Sequence, residues 1–448
     1  MPRGWPGDSL LLTDLYEFAM LEAYRAYDMS ATAVFEFFVR KLPPRRDFLL
    51  AGGLEQLLDF LENLHFSGDD LAYLKESGRF DAGFVDSLAA FRFTGDVDAM
   101  PEGTPFFADE PIVRITAPLS QAQIIESRLI NLLHFQTVIA SKAARMTLAA
   151  PGKQLIDFGL RRAHGAEAGL LAARASYLAG FTGTATLLAE PIFGIPVFGT
   201  MAHSFIQAHD DEMLAFEHFA LVRPEGLTLL IDTYDTEHAA RTVVRLAPRL
   251  SERGIKIAAV RIDSGDLAEH ALKVRGILDA GGLKDVAIFA SGGLDEDDLL
   301  RFQRAAAPID GYGIGTNLTT SSDAPALDCA YKLQEYDGKP KLKRSEGKAT
   351  WPGRKQVFRC YDDQGVMTGD RIALEDATVA GEPLLAPVMR RGRRLPNHPD
   401  LAGARGYAAK SLARLPTAMR ALEPMQYPVE IGTDIRTLAA SISNSAAH

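Results

Sequence analysis

The segment Phe198-Gly-Thr-Met-Ala-His-Ser204 sets a single imidazole between an apolar run, Ile195-Pro-Val-Phe198, and a stretch with apolar residues at helical spacing, Ser204 to Phe219. A histidine at the start of a helix lies beside unpaired backbone N–H groups and the positive end of the helix dipole. A phosphate could be held against the ring of His203 there. The plainer reading is an imidazole satisfied by its neighbours that serves only the fold.

Other polar clusters end apolar runs in the same way. Asp157-Phe-Gly-Leu-Arg-Arg162 offers two guanidiniums, Arg161 and Arg162, that suit bidentate contacts to phosphate or carboxylate, or alternatively pair with Asp157. In Arg261-Ile-Asp-Ser-Gly-Asp266, Arg261 and Asp263 are two residues apart on a strand and face the same side. Helix capping accounts for one of Asp263 and Asp266, but not for an arginine facing the same way as Asp263. Two glycine-rich loops, Ala290-Ser-Gly-Gly293 and Gly311-Tyr-Gly-Ile-Gly-Thr316, would let backbone N–H groups approach a phosphate, although tight turns use the same residues. The chain has no Gly-x-x-x-x-Gly-Lys-Ser/Thr loop, no Gly-x-Ser-x-Gly elbow and no His-Glu-x-x-His pattern, which argues against a P-loop ATPase, a serine hydrolase and a zinc enzyme. No metal-ligand group is identified.

These clusters need a scaffold that brings strand ends together. From about Leu155, short β-type runs alternate with helical patterns, the rhythm of consecutive βα units on a parallel sheet. The expected strands are 155–159, 183–187, 195–200, 227–234, 257–263, 286–292 and 309–315, with helices at 166–179, 204–219, 237–253, 267–280 and 295–304. The fold class expected is α/β, an irregular parallel β/α barrel with function at the C-terminal strand ends; a doubly wound open sheet has the same rhythm. Before it, strands at 32–39 and 111–115, a helix at 53–64 and a long amphipathic helix at 120–146 read as an α+β region. After about Leu327 the segments are short and rich in Lys, Arg, Gly and Pro, too poor in apolar residues for a core of their own. The expected domains are therefore 1–150, 151–326 and 327–448, the last packing back on the first to form a second α+β domain.

Composition narrows the function classes. The chain has 448 residues and a net charge of −10, without the basic field of a nucleic-acid or membrane-surface protein; Arg390-Arg-Gly-Arg-Arg394 reads as a solvated loop. Cys329 and Cys360 are too few for a disulfide framework or a cysteine metal site. Met1 to Ser9 carries no apolar signal region and no membrane-length apolar run occurs, so a cytoplasmic protein is expected.

Taken together, Thr13-Asp-Leu-Tyr16, Asp157-Phe-Gly-Leu-Arg-Arg162, Gly199-Thr-Met-Ala-His-Ser204, Arg261-Ile-Asp-Ser-Gly-Asp266 and Gly313-Ile-Gly-Thr316 resemble the nicotinate phosphoribosyltransferase family, in order, from Thr13 to about Arg359. The resemblance implies a type II phosphoribosyltransferase fold and an enzyme of the ATP-dependent ligase class. Its reaction transfers phosphoribosyl from 5-phosphoribosyl 1-pyrophosphate to nicotinate, giving nicotinate mononucleotide and pyrophosphate in NAD salvage. It implies that His203 is the phosphorylated histidine, that Tyr16, Phe158, Thr200 and Arg261 meet nicotinate, and that Arg161, Gly292, Gly293, Gly315 and Thr316 meet the phosphoribosyl group. It also implies a homodimer in which Tyr16 reaches the neighbouring subunit's site.

The chemistry agrees with such a site. Nicotinate needs an aromatic wall and a cationic clamp, and its pyridine nitrogen attacks without a general base. Positioning, Mg2+ on the departing pyrophosphate and a carboxylate such as Asp263 near the oxocarbenium charge would lower the barrier. Where the nicotinamide-using relatives carry an acid, this chain has Ala185, which favours the acid substrate. The alternatives are a nicotinamide or quinolinate phosphoribosyltransferase and a catalytically silent nucleotide-binding regulator.

Overall fold

Between Lys142 and Pro325, one of the two compact units of the chain, the alternation of apolar runs and amphipathic stretches becomes six parallel strands. They are β1 (Gln154–Asp157), β2 (Gly183–Thr184), β3 (Leu227–Leu230), β4 (Ile257–Ile262), β5 (Ala287–Ser291) and β6 (Gly311–Ile314). The computed structural model describes residues 9–345, 350–396 and 399–445; Met1 to Asp8 of the N-terminal stretch read above lie outside them. The sheet runs β2-β1-β6-β5-β4-β3 with every pairing parallel, and it curls into a half-barrel. Strand interiors are apolar on both faces, as in Leu155 and Ile156, Val260 and Ile262, and Ile288 and Ala290, all nearly inaccessible. The observed class is thus α/β, an irregular parallel half-barrel in one unit and an α+β fold in the other.

Helices α1 (Ala166–Leu178), α2 (Ala189–Phe193), α3 (His203–Gln207), α4 (Glu212–Val222), α5 (Thr236–Ser251), α6 (Leu267–Ala280), α7 (Glu296–Arg304) and α8 (Thr316–Thr319) follow the strands. Capping aspartates set several starts. Asp235 accepts from His238 N at 2.6 Å, and Asp266 accepts from Ala268 N and Glu269 N at 3.1 and 3.2 Å. In α5 the buried residues Ala239, Ala240, Val243, Leu246 and Leu250 recur at helical spacing and form the stripe turned to the interior. Glu296, opening α7, is tied to Lys142 Nζ at 2.5 Å and Arg145 Nε at 2.9 Å, which anchors the helix that follows the first glycine loop.

Three sequence expectations are corrected here. The run 195–200 is no strand: it contributes one parallel bridge, Thr184 to Val197, because Pro196 has no N–H to give a ladder. The strand expected at 183–187 is two residues long. The helix expected at 204–219 is broken into α3 and α4, since Asp211 caps the second by accepting from Leu214 N at 3.0 Å.

The other unit combines residues 1–141 with 326–448. Its antiparallel sheet of seven strands joins N-terminal strands, Thr32–Val39, Asp96–Ala99 and Val113–Pro118, to strands after residue 326, with Cys329–Tyr336 lying against Thr32–Val39. The C-terminal segment also forms long strands at Lys355–Tyr361 and Met367–Leu374, against the reading of short segments. Their polar residues are buried in pairs. Lys355 Nζ meets Glu36 Oε2 at 2.8 Å, and Arg359 spans both oxygens of Asp370, which also accepts from Tyr427 Oη at 3.0 Å. The helix expected at 120–146 is interrupted at Ile125, giving Leu119–Ile124 and Glu126–Ala149.

Candidate active site

The site is built from β4 outward. Parallel register sets Phe289 on β5 opposite Arg261, which places Ser291, two residues on, beside Asp263 in the turn after β4. The Arg261 guanidinium donates through Nε to Ser291 Oγ at 2.8 Å, through Nη1 to Thr200 Oγ1 at 3.1 Å and through Nη2 to Asp263 Oδ1 at 2.8 Å. Ser291 Oγ in turn donates to Asp263 Oδ1 in a short hydrogen bond. The guanidinium lies over the Phe158 ring, 5.3 Å from its centroid. Phe158 can lie there because Gly313, on the adjoining β6, has no side chain; a Cβ at that position would fall 2.3 Å from the ring. Phe158, Phe198, Thr200, Arg261, Phe289 and Ser291 line a cavity of about 90 Å³, apolar except at the guanidinium and the hydroxyls.

Burial pushes the Asp263 carboxyl up, but hydrogen bonds from Ser291 and Arg261 and the charge of Arg261 outweigh it and hold the carboxyl below the usual range. Asp263 therefore presents a carboxylate at neutral pH. His203 opens α3, a helix of only five residues, so the dipole invoked from a long helix has little length behind it. Side chains hold the ring instead. Nδ1 lies 3.1 Å from Thr233 Oγ1 and Nε2 lies 3.9 Å from Asp263 Oδ2. Asp232 braces the same turn by accepting from Asp263 N at 3.0 Å and Ser264 Oγ at 2.6 Å.

The glycine loops meet at Asn317, whose Nδ2 donates to Gly293 O at 2.6 Å and Leu294 O at 3.2 Å. Gly292 takes φ +104°, and a Cβ there would lie 2.2 Å from the Asp263 carbonyl, so only glycine lets the first loop pass that close. Gly292, Gly293 and Thr316 are exposed and Gly315 is half-buried. Arg161 and Arg162 lie exposed in the single turn Leu160–Arg162 after β1, with no hydrogen-bond or ion-pair partner among the described residues. Asp157 is buried behind Phe158, accepting from Gly159 N and Thr184 Oγ1, both at 2.7 Å. Burial raises its carboxyl to about 6 despite those bonds. Tyr16 belongs to the other unit, on helix Leu15–Ala26, where its side chain is 47% exposed.

The structure thus brings Phe158, Thr200, His203, Arg261 and Asp263 together. Sequence reasoning missed Ser291, Thr233, Asp232 and Asn317. Ser291 stood inside a motif valued only for its glycines. Asp232 and Thr233 end a run already read as a strand, and the strand-end rule applied to β4 would have found them.

Among the described residues no three His, Cys, Asp or Glu side chains form a metal-binding group, and no helix is long and apolar enough to cross a membrane. Residues 11–134 match the nicotinate phosphoribosyltransferase (NAPRTase) N-terminal domain, 153–364 the nicotinate phosphoribosyltransferase (NAPRTase) family, and 377–439 the nicotinate phosphoribosyltransferase C-terminal domain. Nicotinate phosphoribosyltransferase pncB2 of Mycobacterium tuberculosis is 50% identical over 428 residues, covering 95% of this chain and 92% of the relative. The Bacillus subtilis nicotinate phosphoribosyltransferase is 36% identical over 465 residues, covering 96% and 94%. The crystal structure of human nicotinic acid phosphoribosyltransferase superposes with a TM-score of 0.86 at 29% identity, covering 96% of this chain and 100% of that one. Half of the residues shared with one relative over nearly the whole chain, together with domain matches on both units, make this enzyme a member of the nicotinate phosphoribosyltransferase family.

Proposed function

We propose that the enzyme transfers phosphoribosyl from 5-phosphoribosyl 1-pyrophosphate to nicotinate, assisted by ATP, giving nicotinate mononucleotide and pyrophosphate for NAD salvage. The observation that carries this reading is the Arg261 guanidinium, braced by Thr200, Ser291 and Asp263 across the Phe158 ring in a small apolar cavity. Three of its five N–H groups are committed to those partners, which leaves two for a substrate carboxylate. A flat pyridine ring fits the wall made by Phe158 and Phe198, and Ala185 adds no acid to repel the carboxylate.

In this reading the pyridine nitrogen lone pair attacks ribose C1 while the bond from C1 to the pyrophosphate oxygen breaks. The electron pair leaves with pyrophosphate, and no proton moves. Asp263 stabilises the positive charge developing at the anomeric carbon. Gly292, Gly293, Gly315 and Thr316 receive the 5-phosphate, and Arg161 meets phosphoribosyl oxygens. Mg2+ would accompany the pyrophosphate and supply charge neutralisation. The residues fitted to hold it are Asp232, whose Oδ1 is buried without a hydrogen-bond partner among the described residues, and Asp263, whose Oδ2 lies 3.9 Å from the His203 ring. A ring nitrogen of His203 takes the γ-phosphoryl of ATP as ADP leaves, the phosphoenzyme favours the donor-binding form of the turn after β3, through Thr233, and after β4, through Asp263, and hydrolysis of the N–P bond to phosphate resets the enzyme. Tyr16, exposed on its helix, supplies a second aromatic surface to another copy of the chain in a homodimer.

Labelled nicotinate and the phosphoribosyl donor, incubated with and without ATP, test the reading directly. Labelled mononucleotide is expected, faster with ATP, and His203→Ala should keep a slow basal rate that ATP no longer stimulates. Preference for nicotinamide, or undiminished ATP stimulation in His203→Ala, would overturn the corresponding half.

A further inference from the structure

Two of the protein's Arg–Asp pairs, Arg359–Asp370 and Arg261–Asp263, differ in geometry. Arg359 closes on Asp370: Nε reaches Oδ1 at 2.9 Å and Oδ2 at 3.1 Å, and Nη2 reaches Oδ2 at 2.5 Å, so the guanidinium edge is consumed by the carboxylate. Arg261 touches Asp263 through Nη2 alone, and its Nε is taken by Ser291. A guanidinium edge at a strand end and a carboxylate two residues on would otherwise form the fork that such groups favour.

We infer that Ser291 is the positioning residue that keeps the Arg261–Asp263 pair open, its one hydroxyl accepting from the guanidinium and donating to the carboxylate. The inference rests on the reading of the cavity as a nicotinate site. The hydroxyl has the capacity for both roles at once, a lone pair for Nε–H and a proton for Oδ1. Its place is rigid. Ser291 is 2% exposed at the end of β5, its register is fixed by Phe289 opposite Arg261, and Gly292 behind it is pressed against the Asp263 carbonyl. Two consequences follow for the reaction. The guanidinium stays over Phe158 with two N–H groups left for the substrate carboxylate, and Asp263 Oδ2 stays out of the pair, on the side of His203. Without the hydroxyl, Arg261 and Asp263 would fold onto each other as Arg359 and Asp370 do, withdrawing the clamp and the carboxylate together.

The test compares Ser291→Ala, Ser291→Cys and Ser291→Thr in the full chain by steady-state kinetics with each substrate varied, alongside thermal unfolding. Ser291→Ala and Ser291→Cys, which lose the strong hydrogen bonds, should raise the nicotinate KM about tenfold and lower kcat, in line with loss of bonds to charged groups. The KM for the phosphoribosyl donor should rise less than that for nicotinate, and the melting temperature should stay near wild type. Ser291→Thr, which keeps the hydroxyl, should restore the nicotinate KM to within about twofold, well inside the value of one such bond. An unchanged nicotinate KM in Ser291→Ala and Ser291→Cys would overturn the inference. So would an equal rise in both KM values with a drop in melting temperature, which marks a merely structural role. If Ser291→Ala does not fold, the isosteric Ser291→Cys decides by the same criteria. Wild-type enzyme that fails to turn over nicotinate would instead remove the functional reading itself, whatever the variants do.

Discussion

The two units spend charge in opposite ways. In the antiparallel unit, Arg359, Asp370, Lys355 and Glu36 are almost wholly buried and nearly saturate one another. In the parallel unit, the charged groups of the site gather at the C-terminal rim of an apolar sheet, with Asp263 and His203 about a third exposed and their pairings incomplete. A closed pair holds a fold because its removal strands a partner in a dry interior. An open pair is free to act because water and substrate can still complete it.

The largest test of this contrast is Arg359→Ala, which leaves Asp370 buried without its cation, beside Tyr427 and Glu110. Such a loss is expected to cost about 3–5 kcal/mol, read as a lower urea midpoint by intrinsic fluorescence. A shift no larger than that of an exposed arginine would erase the distinction. Asp157 sharpens the comparison from the other side, as a buried carboxyl with no cationic partner among the described residues, raised to about 6. A raised folded value means that the folded protein holds the proton more tightly than the unfolded chain. Its stabilising contribution is therefore full below the ordinary carboxyl range near 4 and is lost as pH rises through about 6, a change of about 2–3 kcal/mol. Asp157→Asn keeps an acceptor for Gly159 N, can donate its amide to Thr184 Oγ1 in place of the bond it accepted, and should flatten that slope in a pH series of unfolding midpoints; an unaltered slope would assign it elsewhere. Smallest in stability is Arg261→Ala, expected to leave the urea midpoint nearly unmoved while lowering kcat/KM for nicotinate about 10- to 100-fold, the value of hydrogen bonds to a charged group. A variant that loses stability as Arg359→Ala does, with activity per folded molecule intact, would place Arg261 among the closed pairs.

What the sequence made legible follows the same division. Apolar runs alternating with amphipathic helices revealed the parallel unit, since strands covered on both faces carry little else. The strand-end rule then led to Arg261 and Asp263, because spacing of two on a strand fixes a common face. Strands 355–361 and 367–374 were hidden by Lys355, Arg359 and Asp370, which read as surface residues until their partners are seen. The break between α3 and α4 was written in Asp211, a capping residue inside an apolar period, but periodicity outweighed it. Ser291 could not be weighed without register, for its partners are about thirty residues away in the chain and adjacent only across β4 and β5.

Gly313 has a consequence of another kind. It has no side chain to contribute to the reaction, yet the seat of the Phe158 ring is the space where that side chain would be. One wall of the cavity is thus encoded by a missing atom. Anyone reshaping this enzyme for a bulkier pyridine has a lever there that a search of substrate contacts would overlook: the width of the slot is set from the strand behind the ring.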